Sequence, residues 1–146
     1  MNVEAAYTVA KEKLGVAHTA TADARQLYYK LLIADGLYAQ AIPLTLESIR
    51  LTKIENQDTE ETLHYLKQLF SLYGLTGQGA SEETVLAQML ELAEKLKIEE
   101  TMRATILLSL AKNYCVQRKI DKFESLVEHY QLKYFCGRKK LHTFGR

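Results

Sequence analysis

Proline occurs once in this 146-residue chain, glycine seven times and tryptophan not at all. With so few breakers, long uninterrupted helices are the natural reading. Alternating runs of β-branched residues are missing as well, which leaves strands with little support. The longest apolar stretches, such as Ile106-Leu107-Leu108, last only a few residues. A membrane-crossing helix needs about 20. The opening stretch, MNVEAAYTVAKEKLG, carries acids and has no apolar core of signal-peptide length. Two cysteines, Cys115 and Cys136, are too few for a disulfide framework and too sparse for a zinc site. A reducing, cytoplasmic setting is therefore the default expectation. Cys115 reads as a small core residue, and a single Cys115–Cys136 bridge stays open beside that reading.

What is present is ordinary in amount and uneven in placement. Hydrophobic residues make up 47% and charged residues 25%, as in a soluble globular domain. Net charge is +1, yet residues 55–100 hold ten acids against three bases, and residues 101–146 hold ten bases against three acids. The chain has an acidic waist and a basic C-terminal end.

Apolar spacing predicts seven helices in one helical-repeat domain, residues 1–136, followed by a basic tail, 137–146. The first helix covers about 3–14. The second covers about 22–35, capped by Thr21, with a core stripe of Ala24, Leu27, Leu31 and Ala34, widened by Tyr28 and Leu32. The third covers about 38–54, where Pro43 should kink the helix or delay its start. The fourth, about 59–74, opens on a capping box of Asp58 and Glu61 and is striped by Leu63, Leu66, Phe70 and Tyr73. The fifth, about 82–97, is capped by Ser81 and striped by Val85, Met89, Leu92 and Leu96. The sixth and seventh cover about 100–117 and 120–135. No glycine or proline separates Ala80 from Gly137, so a tight turn at Lys97 to Glu100 is preferred because one helix of that length is improbable. Helices two, four and six start about 39 residues apart, which suggests three hairpins after an initial helix.

Within the second and third helices, Gly36-Leu37-Tyr38-Ala39-Gln40-Ala41 resembles the tetratricopeptide-repeat signature at the turn between paired helices. The match covers Ala22 to Lys53, with Tyr28 and Leu32 at the family's large-residue positions. Tyr29 stands where the family prefers a small residue, and the turn GLTGQG lacks the aromatic and alanine. The resemblance implies an all-α superhelix of antiparallel helices with a concave groove. It implies a non-catalytic module that binds a peptide or helix of a protein partner, as an adaptor, a chaperone-like protein or a peptide sensor.

The first helix of each hairpin would then line the groove. The candidate contacts are Gln26, Tyr29 and Lys30 on helix two, Lys67 on helix four, and Lys112 and Asn113 on helix six. Tyr29 is the aromatic candidate, and a second core face against the first helix is its alternative. The alternative function is a small regulatory or nucleic-acid-associated domain using a basic patch of Arg118, Lys119, Lys122, Lys133, Arg138, Lys139 and Lys140. Overall neutrality and the acidic waist disfavour nucleic acid. A basic end meeting the acidic waist of another copy leaves a homodimer open. The histidines, His18, His64, His129 and His142, share no ligand spacing with a cysteine or carboxylate. Neither a metal, a cofactor nor an enzyme activity is expected.

Overall fold

The computed structural model describes residues 2–55 and 58–136. They form an all-α fold of seven helices: α1 (Val3–Leu14), α2 (Thr19–Ala34), α3 (Tyr38–Glu55), α4 (Glu60–Leu75), α5 (Gly79–Lys95), α6 (Glu100–Val116) and α7 (Ile120–Tyr130). None of them is long and apolar enough to cross a membrane. The chain divides into two compact units, 1–76 and 77–146. In the first, α1 packs on α2, α2 on α3 and α3 on α4; in the second, α5 packs on α6 and α6 on α7. Of the three expected hairpins, α2–α3 lies in the first unit and α6–α7 in the second, while α4–α5 has one helix in each.

Several helix boundaries differ from the sequence reading. Helix α2 begins at Thr19, because His18 Nδ1 accepts the Ala20 N–H at 3.0 Å and so caps it. Thr21 is instead fully buried and donates its hydroxyl to the Gly15 carbonyl at 2.7 Å. Helix α4 is capped by Thr59, whose Oγ1 accepts the Thr62 N–H; the Asp58–Glu61 box is displaced by one residue. Helix α5 starts at Gly79, ahead of Ser81. Helix α3 starts at Tyr38 without delay and continues through Pro43. Ala39 and Pro43 are both exposed, so the carbonyl that loses its i+4 donor lies on the solvent side.

The turns explain why punctuation was hard to read. At the end of α2, Gly36 at φ 73° makes the left-handed step, and the Gly36 and Leu37 N–H groups return to the carbonyls of Ile33 and Leu32. Lys97 (φ 56°), Arg118 (φ 60°) and Gln131 (φ 55°) take the same step after α5, α6 and α7. Their amides make the same paired return bonds. A non-glycine residue there costs on the order of 1 kcal/mol, which the surrounding helix packing must offset. The turn at Lys97 separates α5 from α6 as expected. Gln131 ends α7 about five residues earlier than the sequence suggested.

Each unit has its own core. In the first, Tyr7, Leu32, Ala41, Leu44 and Leu72 form a buried cluster, flanked by half-buried Tyr28, Tyr29 and Tyr38. Burying one leucine contributes roughly 1.5–3 kcal/mol, so α4 is anchored strongly by Leu63, Leu66, Leu69 and Leu72. Leu69 and Leu72 take the core positions expected of Phe70 and Tyr73, which are half-buried. The expected α2 stripe holds only in part: Leu32 is buried and Tyr28 half-buried. Leu27 and Leu31 are 53% and 43% exposed, and the buried residues are Thr21, Arg25 and Leu32. In the second unit, Val85, Leu86, Met89, Leu92 and Ala93 of α5 meet Ile106, Leu107, Leu110 and Ala111 of α6, with Leu126 from α7 also buried.

Candidate functional site

Polar side chains on the inward faces of the helices decide what each unit can present. In the first unit the inward face of α2 is polar because Arg25 meets Glu47 of α3. Their side chains are 7% and 6% exposed, and Arg25 Nε lies 2.6 Å from Glu47 Oε2. Tyr7 donates its hydroxyl to the same oxygen, Lys11 Nζ reaches Oε1 at 2.8 Å, and the Arg25 guanidinium also donates to the Val16 carbonyl. Burial pushes the Glu47 carboxyl up, but the bonds from Lys11, Tyr7 and Arg25 outweigh it and hold its pKa below the ordinary value. Burial, followed by the bond to Glu47, raises Tyr7. This network ties α1 and α2 to α3 and leaves no open coordination.

The adjacent tyrosines point to different faces of α2. Tyr28 faces α1, its ring centroid 5.9 Å from that of Tyr7. Tyr29 turns the other way, into a notch it shares with Gln26 of α2, Thr45 and Ser48 of α3, and Tyr65 and Gln68 of α4. The notch is only about 10 Å³, room for one water and not for a side chain. Lys30 and Lys67 are exposed and do not line it. The sequence reading missed Tyr65 and Gln68, although both sit on the helix it assigned to the groove.

In the second unit, Asn113 is buried. Its amide donates to the Gly79 carbonyl at 3.0 Å and to Glu82 Oε1 at 2.7 Å. Gln117 adds bonds to Gly79 and Glu83. Asn113 is thus engaged within its unit, clamping the start of α5 to α6, while its neighbour Lys112 is exposed. Asn113→Ala would remove two bonds to the start of α5, at the Gly79 carbonyl and Glu82, and should cost the second unit about 1–3 kcal/mol, read from denaturant unfolding. A variant of unchanged stability would contradict this role.

The basic patch is also partly engaged. Glu83 of α5 receives Lys119 at 2.6 Å and Lys122 at 3.1 Å. The bond from Lys119, with those from Lys122 and Gln117, holds the Glu83 carboxyl below its ordinary pKa. Arg118 and Lys133 are exposed. Arg138, Lys139 and Lys140 lie outside the described residues, as does the rest of the expected tail.

The cysteines differ from expectation. Cys115 and Cys136 form a disulfide, with Cα atoms 5.4 Å apart. That span is the ordinary one for a bridge. Cys115 is half-buried rather than a core thiol, and the cysteines no longer argue for a reducing setting.

Helix α7 is the outer element of the second unit. Its backbone packs on α6, its ties to α5 are the side-chain pairs of Lys122 with Glu83 and Tyr130 with Glu94, and it is flanked by a groove on each side. The wider groove encloses about 720 Å³. Tyr114, Leu126 and Tyr130 give it apolar surface, and Asp121, Lys122 and His129 give it a charged and polar rim. Tyr130 is fixed from behind: Arg103 stacks 5.4 Å from its ring centroid and Glu94 accepts its hydroxyl at 3.4 Å. Among the described residues no histidine, cysteine and carboxylate cluster could hold a metal ion. Compared with protein-family models and with curated proteins, the chain matches none.

Proposed function

We propose that this protein is a non-catalytic interaction module that binds a peptide or helix of a protein partner. The observation that carries the reading is the groove beside α7, with fixed aromatic anchors and a polar rim. Interfaces draw most of their affinity from such anchored aromatics, while charge sets orientation and on-rate. Consecutive helix pairing within each unit is the contact pattern a helical array requires, and the resemblance at residues 22–53 supports the tetratricopeptide-like form of it. Tyr29, with Gln26 and Gln68, offers a further contact for a chain lying over the first unit, since paired amides suit a peptide backbone. Self-association belongs to the same proposal, whereas the Cys115–Cys136 bridge removes the support the cysteines lent to a cytoplasmic role. The nucleic-acid alternative is weaker, because Lys119 and Lys122 are paired with Glu83.

A photo-crosslinking residue placed at Ser125, which is exposed and lines the groove, tests this in source cells against the same residue at exposed Glu12 of α1. A protein captured at Ser125 and not at Glu12 is expected. Equal capture at both positions, or none at Ser125, would overturn the reading.

A further inference from the structure

The second groove, on the other flank of α7, is built from two pieces of chain and encloses about 660 Å³. Ile120, Phe123 and Val127 of α7 form one wall, and Tyr134, Phe135 and Cys136 form the other. The second wall exists because α7 stops at Gln131 and the chain continues as a strap without helix. One end of the strap is fixed by the Leu132 N–H bonded to the Val127 carbonyl at 2.9 Å. The other end is fixed by the disulfide to Cys115 at the end of α6. Between them the Tyr134 ring meets Phe123 edge-on, with centroids 6.1 Å apart.

The rim of this groove is acidic. Glu124 and Glu128 both line it, both are exposed, and they stand one turn apart on α7. Neither forms an ion pair with any described residue. The nearest bases along α7 and its start, Lys119 and Lys122, are held by Glu83, and exposed Lys133 is not part of the lining. Among the described residues, the charge lining this groove is therefore opposite in sign to that of the C-terminal composition.

We infer that this groove docks a short segment of a partner protein that carries large apolar side chains flanked by lysine or arginine, and that the Cys115–Cys136 disulfide maintains the groove. The inference rests on the interaction-module reading and adds the partner's chemistry. Apolar side chains fill the space between Phe123, Val127 and Phe135. Basic flanks meet Glu124 and Glu128, whose charges have no described partner to displace.

The test is fluorescence anisotropy on the oxidised whole chain with two labelled peptides that share a Leu-x-x-Phe centre. One peptide has arginine flanks, the other glutamate flanks. The arginine-flanked peptide should bind about tenfold tighter at low salt. The E124Q/E128Q double variant, checked by circular dichroism, should lose most of that preference. Reduction, or Cys136→Ser, should weaken both peptides while α-helix content is kept.

Equal binding of the two peptides would overturn the charge assignment and leave the module reading standing. A preference that survives in E124Q/E128Q would do the same. Unchanged binding after reduction would overturn the role of the disulfide. No binding of either peptide would overturn the external partner. That result is also expected if residues 137–146 of the chain, which include Arg138, Lys139, Lys140, Leu141 and Phe144, occupy the groove instead.

Discussion

Glu47→Ala should destabilise the first unit by about 3–5 kcal/mol, the usual cost of leaving a buried charge without its partner. Arg25 would keep its bond to the Val16 carbonyl, but its guanidinium would face an empty site beside Tyr7. Urea unfolding followed by circular dichroism measures the loss. A double replacement, Arg25→Met with Glu47→Leu, should recover part of it, because the desolvation penalty disappears with both charges while the Tyr7 hydroxyl stays unpaired. The same network sets an acid limit. Glu47 has a folded pKa below its ordinary value, so its contribution is present above the ordinary glutamate range. That contribution is lost as pH falls through the folded value. The wild type should therefore lose stability on acidification, and Glu47→Gln should lose less over the same range. If Glu47→Ala melted like the wild type, the network would not be what joins α1 and α2 to α3.

Opening the disulfide should have the next largest effect. The bridge spans 21 positions in sequence. A closed loop of that size is worth about 3 kcal/mol through the entropy of the unfolded chain. The second unit should lose that stability in reductant or as Cys115→Ser. Thiol titration of the denatured, unreduced protein should find no free thiol, and reduction should release two. Free thiols before reduction, or a melt insensitive to reductant, would contradict the bridge.

The sequence carried the helix count and most helix centres because leucine and methionine spacing survives without context. Leu63, Leu66, Val85, Met89 and Leu92 are buried as their spacing implied. It misled on α2, where hydropathy favoured Leu27 and Leu31 as core. There the buried face is set by a hydrogen-bonded Arg25–Glu47 pair 22 residues apart in sequence, and no local period reveals such a pair. The ends of α5, α6 and α7 were obscure for a related reason. Lysine, arginine and glutamine hold the left-handed positions that glycine usually marks.

The site was legible only in part. Tyr29 and Gln26 do share a lining, while Asn113 was chosen for its type and turned out to be enclosed. The α7 grooves could not be read, since one needs the strap to turn back after Gln131 and the other needs Tyr130 held by α5 and α6 residues.

Hydrogen–deuterium exchange of the oxidised chain, with and without a partner captured at Ser125, tests the central claim most directly. If α7 is the docking element, residues 120–136 gain protection on binding, with the α6 segment around Tyr114 next. Protection confined to α1, or no change along α7, would contradict it.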